Sequence, residues 1–270
     1  MSVVFLHGAY GMATDWDDIR HALTQRFSEA VDGGDGVVVP AMLALNIAGH
    51  GEVVADPKSN DVDALFEEAV DNVATAIEGL PDKVTLVGYS LGARVALAAL
   101  LLRPELTGNV ERLVLISGTA GLEDEADRAD RKAIDDERAD AFAADPASFL
   151  AGFWRLPLFE DLRDHPGVTT LLLQRQERAA TYTALRARWM RGLSVARMPA
   201  LWPLVSSLRN DLDFDLIVGA NDATYLKAAH RLQRLVHRAK LHTIDGVGHA
   251  VPLLAPQSVV DVIAPPRPEP

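Results

Sequence analysis

Short apolar runs alternate with stretches of helical period along this chain. Val3-Val4-Phe5-Leu6, Val84-Thr85-Leu86-Val87, Leu113-Val114-Leu115-Ile116, Leu216-Ile217-Val218 and Leu241-His242-Thr243-Ile244 are continuous and rich in β-branched residues. Val37-Val38-Val39 has the same character and is expected to be a further strand. Helical periodicity runs from Phe66 to Gly79, from Ala93 to Leu102 and from Lys227 to Val236. Gly79 with Pro81 just beyond is a helix stop. Strands that are apolar throughout, instead of alternating, are buried on both sides, which requires helices on both faces of a mostly parallel sheet. The predicted fold class is therefore α/β.

Between Ser117 and about Ser206 the strand-like runs nearly vanish. Glu123 to Phe142 is highly charged and helical, Phe149 to Phe159 is aromatic and apolar, and Arg175 to Arg197 is basic and helical. Val168-Thr169-Thr170-Leu171-Leu172-Leu173 is strand-like in composition, but periodic residues continue after it, so a helix is expected. The expected organisation is a core over residues 1–116, a helical lid over 117–205 and the second part of the core over 206–264. A Pro-rich tail over 265–270 is expected to be disordered. The apolar start lacks a basic flank and falls far short of a membrane span, so it reads as a buried strand of a cytoplasmic protein with no membrane partner.

Composition narrows the chemistry. The 270 residues include no cysteine, which excludes disulfides, thiolate nucleophiles and Cys-ligated metal. The net charge of -12 argues against nucleic acid, which needs a basic face. On the same reasoning it argues against a strongly anionic ligand. The 26 basic residues are mostly Arg, the planar fork that matches carboxylates. No metal or cofactor is implied: HExxH and its relatives do not occur, and Gly33-Gly34-Asp35-Gly36 reads as a turn, not a phosphate loop.

Gly88-Tyr89-Ser90-Leu91-Gly92 matches G-x-S-x-G between a strand and a helix, the context in which a nucleophilic serine is presented on a tight turn. A base and an orienting acid are expected in the order Ser, Asp, His. Asp222 follows the strand ending at Val218, and His249 follows the strand ending at Ile244. Both thus sit beyond the C-terminal ends of strands, where open α/β sheets build their sites. Asp211, Asp213 and Asp215 precede or lie within the strand and are expected to point elsewhere. The backbone N–H groups of Ala9 and Leu91 are placed to form an oxyanion site. His7 is then expected to be structural.

From His7-Gly8 to His249 these features resemble the α/β-hydrolase superfamily. Gly49-His50-Gly51 resembles its G-H-G loop, although Asn46-Ile47-Ala48 stands where an Asp and a Pro are common. Further stretches resemble one subgroup, the 2-succinyl-6-hydroxy-2,4-cyclohexadiene-1-carboxylate synthases of menaquinone biosynthesis. These are Leu6 to Gly11 with Asp15-Trp16, Gly88 to Arg94, and Ser117-Gly118 with Gly121-Leu122. They continue through Arg128, Arg131, Asp135 and Ala139 to Phe153-Trp154 and Pro157 to Phe159, then Gln174-Arg175 and Met198 to Trp202. Ala93 stands where that subgroup has Gly, and Trp154 where it usually has Tyr.

The resemblance implies a lyase that removes a proton and expels pyruvate from a substrate bearing three carboxylates, a small-molecule polycarboxylate partner. Ser90, His249 and Asp222 would form the base, and Tyr89, Arg94, Arg131, Trp154 and Arg175 would bind the substrate. Despite the overall charge, a positive cleft is then expected. Two other readings stay open: a serine esterase or C–C bond hydrolase with the same triad, and a non-catalytic receptor on the same fold. The oligomeric state is not legible.

Overall fold

The computed structural model describes residues 1–32 and 38–266. In chain order it contains β1 (Ser2–Leu6), α1 (Asp17–Asp32), β2 (Ala41–Leu45), α2 (Leu65–Glu78), β3 (Val84–Tyr89), α3 (Leu91–Leu102) and β4 (Val110–Ile116). Then come α4 (Glu125–Ala144), α5 (Pro146–Phe153), α6 (Val168–Ala179) and α7 (Thr183–Gly192). The core resumes with β5 (Asp213–Gly219), α8 (Ala223–Leu235), β6 (Lys240–Ile244), α9 (Val251–Leu254) and α10 (Pro256–Ile263).

The six strands form one sheet in the order β2-β1-β3-β4-β5-β6. Every neighbouring pair is parallel. Side chains alternate across it. Val4 and Leu6 of β1 join the core that α2, α3 and α8 cover, while Val3 and Phe5 join Ile19 and Leu23 of α1 and Val259, Val260 and Ile263 of α10. Strand direction of build-up reverses between β1 and β3, so the crevice beyond their C-terminal ends is the switch point where ligands enter such folds.

One strand lies elsewhere than its composition suggests. Val38 and Val39 are exposed and outside any strand, and Val37, like the turn expected at Gly33–Gly36, falls outside the described residues. The strand is Ala41–Leu45, in register with β1 from Ser2↔Ala41 to Leu6↔Leu45. It is an edge strand that is only half-buried, so pairing with β1 overrides the higher β-propensity of the valines. Pro40, which lacks an N–H, immediately precedes it. Residues 267–270 of the predicted tail also lie outside the described residues.

The insertion is helical throughout its regular elements, and Val168–Ala179 is a helix despite its β-branched start. Its helices close on a small core of Phe142, Leu150, Ala179 and Ala187. A second cluster, Trp154, Phe159, Leu162 and Ala250, packs the insertion against the loop that carries His249. Among the described residues no helix is long and apolar enough to cross a membrane.

Candidate active site

The turn between β3 and α3 is strained in a way that aims one side chain. Ser90 has φ 51° and ψ -104°, a region that non-glycine residues rarely occupy. The turn is held by Ser90 N–H donating to Ile116 C=O at 2.9 Å and Gly92 N–H donating to His7 C=O at 3.0 Å. Its flanking glycines are sterically required. A Cβ on Gly88 would meet the Gly92 carbonyl, and one on Gly92 would meet the Leu6 carbonyl of β1.

Ser90 Oγ donates to His249 Nε2 at 2.9 Å, and His249 Nδ1 donates to Asp222 Oδ2 at 2.6 Å. The tautomer follows from the carboxylate, which can only accept. His249 and Asp222 are both buried. Asp222 caps α8, with Oδ1 accepting from Tyr225 N–H at 3.3 Å, so both carboxylate oxygens are committed. Ser117, itself at φ 49°, donates from Oγ to the His249 carbonyl at 3.1 Å and fixes that loop.

The rival acids lie elsewhere, as expected. Asp215 is buried between Arg112 at 2.8 Å and His242 Nε2 at 2.8 Å. Asp211 pairs with Arg209, and Asp213 is exposed at the start of β5. Asp215–His242 thus repeats the acid–imidazole pair of the site, but Arg112 occupies the other carboxylate oxygen and among the described residues no hydroxyl completes it.

Ala9 and Leu91 line the cavity beside Ser90, and among the described residues their N–H groups have no hydrogen-bond acceptor. The loop carrying Ala9 rests on two neutral imidazoles. His7 donates from Nδ1 to Gly8 C=O at 2.8 Å and accepts from Ile47 N–H at Nε2 at 3.1 Å. Burial lowers its pKa to about 4. His50 accepts from Tyr10 N–H at 3.1 Å, and burial likewise holds its pKa well below the usual range. Asn46, where the family pattern has a different residue, accepts from Ala13 N–H at 2.8 Å and ties the same loops together.

A cavity of about 410 Å³ opens on Ser90 and His249. Its wall carries four arginines, Arg94, Arg131, Arg138 and Arg175, against two aspartates, Asp15 and Asp135. The predicted excess of positive charge is therefore present in the lining. The arginines are not equivalent. Arg175 is buried, pairs with Asp15 at 2.7 Å, donates to Tyr10 C=O at 2.9 Å and stacks over Trp154 at 4.8 Å. Arg131 is held by Asp135 at 2.8 Å. Arg94 donates to Leu193 C=O at 3.0 Å and has no carboxylate partner among the described residues. Burial lowers its pKa to about 10, which still leaves it charged near neutrality.

Tyr89 and Trp154 also line the cavity, Tyr89 with its ring 5.5 Å from that of His249. The structure thus brings every expected site residue to one cleft except Asp222, which is buried behind His249 and bonded to it. It adds Asp15, Asp135, Arg138 and Tyr225, which the sequence reading did not assign to the site. Tyr225 packs on His249 at 4.4 Å between ring centroids. Two of these had a signal. Tyr225 is in the first turn after Asp222, and Arg138 lies seven residues after Arg131, on the same helix face. Among the described residues no group of His, Asp or Glu converges as a metal site requires.

The chain is 29% identical to the 2-succinyl-6-hydroxy-2,4-cyclohexadiene-1-carboxylate synthase of Salmonella heidelberg over 265 residues, 97% of this chain and 92% of that enzyme. It is 27% identical to the chloroplastic protein PHYLLO of Arabidopsis thaliana, of whose length it spans only 15%. In structure it resembles MenH from S. aureus with a TM-score of 0.76 at 22% identity, covering 97% of this chain and 91% of that one. It also resembles a thermophilic esterase from Thermogutta terrifontis with a TM-score of 0.72 at 20% identity, covering 97% and 88%. The alpha/beta hydrolase family profile matches residues 3–262. With the parallel sheet, the strained serine turn and this match together, the chain belongs to the alpha/beta hydrolase family.

Proposed function

We propose that this chain is a carbon–oxygen lyase of menaquinone biosynthesis. It would eliminate pyruvate from 2-succinyl-5-enolpyruvyl-6-hydroxy-3-cyclohexene-1-carboxylate to give 2-succinyl-6-hydroxy-2,4-cyclohexadiene-1-carboxylate. One observation carries the reading beyond the family: a charged Arg94, one helical turn after Ser90, faces the cavity without a carboxylate partner among the described residues. A buried cation without a partner is costly, so its counter-ion is expected in the ligand. The name shared by the Salmonella relatives supports the same substrate class.

The mechanism needs no water and no acyl-enzyme. His249 Nε2 takes the Ser90 proton, and the Ser90 oxygen takes a proton from the substrate ring carbon. The C–H electron pair moves through an enolate-like intermediate to form the new C=C as the C–O bond to the enolpyruvyl group breaks. The enol leaving group takes up a proton and becomes pyruvate. Asp222 holds the imidazole tautomer and stabilises its charge. The N–H groups of Ala9 and Leu91 receive the developing negative charge. Arg94, Arg131 and Arg175 orient the carboxylates, with Tyr89 and Trp154 shaping the walls. The only partner this requires is a small polycarboxylate, in a cytoplasmic setting.

A second reading is kept because the serine is ready for it. The 2.9 Å Ser90–His249 hydrogen bond and the two free N–H groups would also serve an esterase or C–C bond hydrolase. A coupled assay for pyruvate released from the enolpyruvyl substrate separates the two. Release that falls by about 10²–10⁴-fold in Ser90→Ala supports the lyase. Brisk p-nitrophenyl ester turnover with a fluorophosphonate label on Ser90, and no pyruvate, selects the hydrolase.

A further inference from the structure

Asp135 is a buried carboxylate on the cavity wall with three donors. Arg131 Nε donates to Oδ2 at 2.8 Å, Arg138 Nη1 to Oδ1 at 3.1 Å, and Ser194 Oγ to Oδ2 at 2.6 Å. Ser194 in turn accepts from Ala196 N–H at 3.0 Å, which anchors Asp135 to the chain beyond α7. The arginines stand four residues before and three after Asp135, on one face of α4.

A surface ion pair of this spacing normally leaves both partners in water. Here the acid is buried while the two arginines are partly exposed, at 42% and 33%. Each guanidinium has five N–H donors, and among the described residues neither arginine makes a second hydrogen bond. Both line the cavity. The trio has one positive charge in excess, the amount a single carboxylate cancels.

We infer that Arg138 and Arg131 act together as a clamp for one carboxylate of the ligand, and that Asp135 is the positioning residue that orients both forks. A carboxylate accepts paired N–H donors from planar guanidinium with directional preference. The clamp would thus select a ligand with a second carboxylate besides the one at Arg94, a polycarboxylate over a monocarboxylate. Arg175, already neutralised by Asp15, contributes less to this choice. The identity of the ligand rests on the lyase reading, and the test keeps the two apart.

Pyruvate release by the unaltered chain tests the parent reading. The clamp is tested by binding of the same enolpyruvyl trianion, followed by calorimetry in the Ser90→Ala background, and by steady-state kinetics with Ser90 present. Arg138→Met is expected to weaken binding and raise KM at least tenfold, with kcat within threefold. Arg138→Lys should lie between, since it keeps the charge and loses the fork. Asp135→Asn should raise KM similarly, and adding Arg138→Met to it should cost little more, because the groups act as one unit. Binding and KM unchanged within twofold in Arg138→Met, with pyruvate still released, would overturn the clamp and leave the lyase standing. Additive losses in the double variant would overturn the positioning role of Asp135.

Discussion

At the residue scale the site divides into what spacing shows and what only neighbours show. Ser90 is legible because a G-x-S-x-G motif between strand and helix has few other uses. Asp222 and His249 are legible because each follows a strand end. The state of Arg94 is not, because the absence of an acid partner is a property of the whole surrounding shell. That absence yields a prediction. Arg94→Met removes a desolvated charge while keeping most of the apolar stem, so thermal stability should hold or rise by about 1–2 kcal/mol. The same change should raise KM for the trianion at least tenfold. Thermal melts alongside kinetics check both; a protein that melts far lower, with KM unchanged, would make Arg94 a packing residue. Arg131 shows the opposite lesson: its i+4 acid was visible in the sequence, and the pair forms at 2.8 Å, yet the arginine still lines the cavity.

At the element scale the parallel sheet and the helical insertion follow from periodicity, the strand order comes from the fold alone, and the errors are local. β2 begins at Ala41, not in the valines, because an edge strand takes its register from its neighbour. The propensity of Val38 and Val39 cannot report that. Conversely, α6 opens with Val168-Thr169-Thr170, and its helical state is decided by packing within the insertion. Ala93 is instructive too. Its methyl faces Gly118, where a Cβ would come within 2.7 Å of it. A small residue at one position thus accommodates a larger one at the other. The elbow has no such slack. Gly92→Ala should drive a methyl into the Leu6 carbonyl and lower stability by about 2–3 kcal/mol or more. Denaturant unfolding measures it, and wild-type stability with full activity would show that the turn is not packed as described.

At the scale of the whole molecule, the charge of -12 and an arginine-lined cavity coexist because one is a sum and the other a local field. The acidity is spread over outer faces, where Asp63, Asp136 and Asp140 pair with Lys132, Arg191 and Arg197 across the insertion. Composition alone could not show this distribution, since it depends on which faces fold inward. Global stability carries a further signature. His7 is neutral when folded, with its pKa lowered to about 4, and near 6.5 when unfolded. The unfolded chain therefore binds the extra proton first, and stability present above pH 6.5 is lost as pH falls toward 4. A shift of this size corresponds to roughly 3 kcal/mol for His7 alone. Chemical denaturation across that range should show the loss, and His7→Gln should flatten it. An unchanged slope in that variant would mean the acid lability arises elsewhere.

A pyruvate-coupled assay on 2-succinyl-5-enolpyruvyl-6-hydroxy-3-cyclohexene-1-carboxylate decides whether this chain is the proposed lyase. A lyase with Ser90 as its base releases one pyruvate and one cyclohexadiene product per substrate, with the rate falling by about 10²–10⁴-fold in Ser90→Ala. Release that is undiminished in Ser90→Ala, or no release from a folded protein that hydrolyses simple esters briskly, would contradict it.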